Sequence, residues 1–146
     1  MPDLTITASS VLKGTGARLN KSYVAGTTIT AGQAVYLVST TTGWGKAYSL
    51  GTEGEAGGNG SGGTGTFGIA LHSAIANQPL AVQVSGPITI GATVVTGTPY
   101  MIGLNAGGIC SFATLQSGCY VAYLGYATST TVINLGIRKW TNVQIA

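Results

Sequence analysis

A run of alternating apolar residues, cut at short intervals by glycine and proline, limits what this chain can fold into more than any other stretch. It extends from Gln78 to Leu104, QPLAVQVSGPITIGATVVTGTPYMIGL. Leu80, Val82 and Val84 alternate with Ala81, Gln83 and Ser85, the period of a strand that puts its large side chains on one face. Gly86-Pro87 breaks the run, Ile88 and Ile90 restart it around Thr89, and Gly91 interrupts again before Thr96-Gly97-Thr98-Pro99 turns into Tyr100-Met101-Ile102. Short strands with such punctuation predict an all-β fold, a small Gly/Thr-rich β-barrel or sandwich. The stretch holds no charged residue, no His and no Cys, so what organises the fold is not a catalytic centre.

Further strands are expected at Ala34–Val38, Phe67–Leu71 and Ile109–Phe112, with a weaker one through Leu19, Tyr23 and Val24. The best hairpin pairs Tyr120–Tyr126 with Thr131–Ile137, where Ile133, Leu135 and Ile137 share a face. Ser73–Asn77 is the one short helical candidate, stopped by Pro79. Gly32, Gly97 and Gly118 each lead within a few residues to a strand Tyr (Tyr36, Tyr100, Tyr120), a loose internal echo in which Gly supplies the entry turn.

The organisation read from the chain is an extended N-terminal arm over 1–16 and a single β domain over 17–146. A Gly-rich loop at 51–66 is inserted in that domain, expected to be flexible, exposed and dispensable for folding. The arm carries the alternating run Asp3-Leu4-Thr5-Ile6-Thr7, suited to ordering on a partner. Only 6% of residues are charged, against about 25% in an ordinary soluble domain, which points to a surface largely covered by other chains. The net charge of +3 comes from six scattered basic residues. These do not form a nucleic-acid arm, although Lys13, Arg18 and Lys21 near one end and Arg138 and Lys139 near the other give a modest preference for an acidic partner surface. The N-terminus lacks a signal-peptide pattern and no window reaches the roughly 18 apolar residues of a membrane helix, so a soluble protein made in a cytoplasm is expected. In that setting Cys110 and Cys119, which could face each other across a hairpin, are expected as free, part-buried thiols.

Chemistry-bearing motifs are mostly absent. Gly60-x-Gly62-x-x-Gly65 matches the dinucleotide fingerprint by letter, but a strand follows it where a helix is required. Gly45-Lys46 lacks the rest of a phosphate loop. His72 is the single histidine, and the three acids, Asp3, Glu53 and Glu55, sit in the expected arm and loop, so neither a triad, a carboxylate pair nor a metal site assembles on paper. No cofactor is expected. Trp44, Trp140 and the tyrosines, Tyr36 among them, suit a sugar platform, a core or a subunit interface, and the interface is the preferred reading.

Several segments together resemble the small capsid decoration, or cement, proteins of tailed bacteriophages: DLTITASSV with the following GTGAR, ITAGQAVYL, FGIAL, QPLAVQVSGPITIGATV and GCYVAYLGYATSTTVINLGI. The resemblance covers most of the chain outside the Gly-rich loop. It implies a β-tulip-like domain on the outer surface of a virion, bridging neighbouring major capsid subunits against the pressure of packaged DNA, often as a homo-trimer. It also implies that an arm such as Asp3–Thr7 completes a sheet on the capsid protein, with Leu4 and Ile6 entering pockets there. Neither nucleic acid nor membrane is an expected partner. A carbohydrate-binding or fibre-tip domain of a virion is the alternative, with Trp44 or Trp140 as the stacking residue.

Overall fold

A computed structural model describes residues 3–50, 55, 59–60, 63–64 and 66–136. The chain is all-β, with a curled antiparallel sheet forming a half-barrel. Its strands are β1 (Val11–Lys13), β2 (Arg18–Asn20), β3 (Ala34–Ser39), β4 (Gly43–Lys46), β5 (Asn59–Gly60), β6 (Gly63–Thr64), β7 (Phe67–Ala70), β8 (Val82–Ile90), β9 (Pro99–Ile102), β10 (Ile109–Ser111), β11 (Tyr123–Ala127) and β12 (Val132–Gly136). The large sheet runs β10-β9-β11-β12-β8-β7-β3-β4, with β1 and β2 also on β8, while β5 and β6 form a separate ribbon. No helix among the described residues is long and apolar enough to cross a membrane.

The nine-residue β8 corrects the expectation that Gly86-Pro87 ends a strand, for the chain continues through both residues. Gly86 has φ +89°, and pairing persists on either side of it. Each β8 residue that has two partners must hold them on opposite edges. By that logic β7 (at Val82 and Gln83) and then β12 (from Ser85 to Thr89) share one edge, while β2 and then β1 share the other. The bend also turns the strand over. Val82 and Val84 belong to a smaller apolar cluster with Trp44 and Leu80, whereas Ile88 and Ile90, of the same parity, belong to the main core.

Gln83 clamps this bend from a fully buried position. Its Nε2 donates to the carbonyls of Ser85 (3.3 Å), Gly86 (3.1 Å) and Pro87 (2.8 Å). The amide nitrogen is engaged by the bend while the buried Oε1 has no hydrogen-bond partner among the described residues, so the cost of burying this side chain is offset on its donor side alone.

β3 reads as an unbroken apolar run because both of its faces are covered. Ala34 and Tyr36 face the main core, and Val35 and Leu37 face the smaller cluster. The predicted hairpin is β11 with β12, where Ile133 and Leu135 are buried as expected, and Ser129 Oγ accepts the N–H groups of Thr131 and Val132 in the turn. Ile137 lies outside the described residues. The glycines of the Gly–Tyr echo, Gly32, Gly97 and Gly118, all have φ between 83° and 90°, as a tight entry turn demands.

Two local expectations differ from the structure. Ser73–Asn77 is not helical: Ala74 bridges Ile29 antiparallel, and Asn77 takes φ 71° in the turn that follows. Five residues cannot pay the nucleation cost of a helix, and Asn tolerates the left-handed region. The Gly-rich loop, where described, is tied down. Tyr48 N–H donates to Glu55 O (2.8 Å), Leu37 N–H to Thr66 O (2.8 Å), and the Thr64 hydroxyl to Leu37 O (3.0 Å). Backbone pairing needs no apolar side chain, so low hydrophobicity did not reveal it; the rest of 51–66 lies outside the described residues.

Ile88 and Ile133 are cross-strand partners with no exposed surface. Ile88→Ala or Ile133→Ala should therefore lower stability by about 2–5 kcal/mol, while Leu12→Ala, at a 61% exposed position, should change it by about 0.5 kcal/mol or less. Urea midpoints at constant m-value check both.

Candidate functional site

Residues 3–13 are folded back onto their own domain, which corrects the expectation of an arm extending free over 1–16. The Asp3 carboxylate accepts from Leu104 N–H (2.8 Å), Asn105 N–H (2.9 Å) and Asn105 Nδ2 (3.2 Å). Leu4 N–H donates to Ile109 O (2.7 Å) and Thr7 N–H to Gly91 O (2.8 Å), after which Ala8–Ser10 make one 3-10 turn into β1. The alternation of Asp3–Thr7 is real, but its apolar face is already used. Leu4 and Ile6 are half-buried against the main core, and Thr5 and Thr7 point to solvent. The physical reason is the half-barrel itself, whose open side leaves core residues that the nearest apolar segment covers.

The seat for Asp3 is made by backbone. A Cβ on either Gly103 or Gly108 would overlap the carboxylate, and a Cβ on Gly91 would overlap the Thr7 carbonyl. Glycine is present here because the N-terminal segment passes so close. Sequence reasoning missed these contacts, although the unexplained density of Gly around 103–108 was the signal available.

Alongside this segment lies an apolar groove of about 510 Å³. Tyr100 and Pro99 line it with Val95, Phe112 and Leu4. Tyr100 Oη accepts the Val95 N–H (3.0 Å), which fixes the loop bearing Val95. Val95 is 66% exposed and Phe112 51%. Neither was singled out from sequence, since a lone Val or Phe beside a turn gives no sign of its exposure.

Of the expected interface residues, Lys13 and Arg18 are exposed and paired to the same edge of β8, opposite Ile88 and Ser85. That spacing separates their backbones by about 10 Å. Tyr36 and Trp44 are core residues, which corrects their assignment to an interface. Tyr36 is nearly covered, and burial, aided by the Glu55 carboxylate, pushes its phenol above the ordinary value. Trp44 has no exposed surface and meets Tyr23 edge-on at 6.4 Å, so it offers no face to a sugar ring. Apolarity marks both residues for burial but does not say what covers them. Arg138, Lys139 and Trp140 lie outside the described residues.

His72 is exposed and engaged with backbone on both nitrogens. Nδ1–H donates to Ser73 O (3.1 Å) and Nε2 accepts from Ala81 N–H (3.0 Å), roles that fix the tautomer. Ser73 Oγ in turn accepts from Ala31 N–H (3.1 Å). These groups pin loops to one another. Among the described residues no three of His, Cys, Asp and Glu come together. Cys110 and Cys119 are free and buried. Burial, with the nearby Asp3 and Cys119 charges, pushes the Cys110 thiol up to about 12. No protein-family model matches the chain, and no curated protein or solved structure matches it.

Three outcomes follow from this geometry. Asp3→Ala and Gly108→Ala should each cost about 1–3 kcal/mol of stability in urea unfolding, the first by deleting an ionised acceptor and the second by displacing it. Cys110, held protonated by the fold, contributes stability that is fully present below its ordinary value of 9.0 and is lost as pH rises towards about 12. Stability should therefore fall over that alkaline window, and fall less in Cys110→Ala. Below the window, the native protein should resist a thiol reagent that labels both cysteines once it is unfolded.

Proposed function

We propose that this chain is a structural protein of a phage virion. It binds the outer surface of the capsid, bridges neighbouring major capsid subunits and stabilises the head, acting as a homo-oligomer with a trimer favoured. The observation that carries this reading is the apolar groove with exposed Val95 and Phe112 beside the N-terminal segment. It sits on an all-β domain that has six basic and three acidic residues in total. Exposed apolar surface flanked by uncharged Thr side chains suits a permanent protein contact. The segments that resemble decoration proteins give that contact its partner. Lys13 and Arg18, exposed on one strand edge, supply positive charge for an acidic capsid surface.

Because Leu4 and Ile6 pack on the domain, the capsid contact in this reading uses the segment where it lies, with the groove next to it. Co-sedimentation with expanded, undecorated phage heads tests it. Wild-type protein should pellet with heads to a saturable copy number and raise the temperature at which they release DNA. Val95→Asp and Phe112→Asp, both at exposed positions, should bind at least about tenfold more weakly with unchanged melting temperature. Wild-type protein that stays in the supernatant would sink the proposal, and variants that decorate at wild-type density would remove the groove from it.

A further inference from the structure

The seat of residues 3–7 has the properties of a binding site that happens to be filled from within. Its hydrogen bonds fall on Asp3, Leu4 and Thr7, the two ends of the segment. Hollows run along it: the groove beside Leu4, a second of about 390 Å³ bordered by Asp3, Ile6, Gly32 and Asn105, and a third of about 380 Å³ bordered by Thr5, Thr7, Thr89 and Thr131. A strand sewn into a sheet has no such margins. The donors to Asp3 are the backbone of 104 and 105 and the Asn105 side chain, all on a turn whose position does not depend on the N-terminus being the chain's own. The anchor begins only at Val11, 6% exposed and paired to Ile90. Between anchor and segment lies the Ala8–Ser10 turn, which buries none of its residues and which, extended, spans about 10 Å.

We infer that this trough is a docking site for residues 3–7 of a second copy of the chain, taken in exchange for its own. Its chemistry selects an extended segment with a carboxylate at its head and apolar side chains at the first and third residues after it, and the chain's own segment is the one occupant the structure displays. Exchange remakes every contact of the closed form, so it costs only the association entropy and any strain in the Ala8–Ser10 hinge. Cyclic exchange closes a ring of copies, and reciprocal exchange closes a pair. The inference does not depend on what the outer surface of the domain binds.

The test uses the full-length chain and, as probe, a synthetic peptide of residues 1–10 carrying a fluorophore at its C-terminal end, read by anisotropy. Asp3→Ala in the chain removes the internal competitor's carboxylate and leaves the seat intact. It should bind the peptide at least about tenfold more tightly than the wild-type chain does. Asp3→Asn, which keeps one oxygen for the Leu104 N–H, is run beside it and should show a smaller gain. The peptide carrying Asp3→Ala should not bind any of the chains, and adding Gly108→Ala to the Asp3→Ala chain should abolish binding by filling the seat. Cooperative melting of each chain establishes that it is folded. Folded Asp3→Ala and Asp3→Asn chains that ignore the peptide, or binding indifferent to the peptide's own Asp3, would overturn the inference.

Discussion

One strand has to satisfy four neighbours, and the rest of the fold follows from how it does so. A straight strand has two edges and one partner on each. β8 bends at Ser85-Gly86-Pro87, and each half of each edge takes a different strand. Proline inside a sheet is confined to bulges and edges because it cannot donate. Pro87 is admitted here because it falls in the bend, between Ser85, where β2 pairing ends, and Ile88, where β1 pairing begins, and its carbonyl accepts from Gly14 N–H (2.9 Å) and from Gln83 Nε2. The bend exchanges the face that carries the large side chains, so one strand contributes Val82 to the smaller cluster and Ile88 to the main core. The energetic risk is concentrated in Gln83, whose burial is tolerable only while its amide holds the three carbonyls of the bend.

A sheet curled part-way round leaves a side to be covered, and that demand gives the N-terminal segment its place. Leu4 and Ile6 pack against the main core, and the Asp3 clasp sets the register of the cover. A cover held at its ends by a carboxylate and two backbone bonds is less integral than a strand in the ladder. The hollows beside it are the geometric expression of that difference, and they place the exposed Val95 and Phe112 next to the least integral part of the domain.

How much of this was legible in the sequence depended on whether the information lay in side-chain period. β3, β7, β9 and the β11–β12 hairpin were readable because alternation or an unbroken apolar run announces which faces are covered. The docking of Asp3–Thr7 was not, because its determinants are the absent Cβ atoms of Gly91, Gly103 and Gly108, together with main-chain bonds, and neither leaves a period. The same blindness hid the Tyr48–Glu55 and Leu37–Thr66 bonds of the Gly-rich loop. Val94 and Val95 show the limit most plainly. They are chemically identical neighbours, yet one is 2% exposed and the other 66%, and the bonds that hold the loop, Val94 N–H to Thr130 O and Val95 N–H to the Tyr100 hydroxyl, decide which is which. Trp44 and Tyr36 failed in the opposite direction, since an aromatic residue fits a core and an interface equally well until its surroundings are known.

The scarcity of charge is then consistent with the way contacts are made throughout. Asp3, one of three acidic residues, is engaged with main-chain donors, His72 is engaged with main chain on both nitrogens, and Gln83 holds three main-chain carbonyls. Polar side chains in this protein mostly fix backbone in place, and glycine brings backbone within their reach. Recognition that rests on strand register and apolar hollows reads shape, and it needs a partner surface presented in one fixed geometry. Under the proposed decoration role an assembled shell offers that geometry many times over. Each weak contact then adds by mass action to the stability of the state that displays it, so the domain gains more from repetition than it would from a few strong ion pairs.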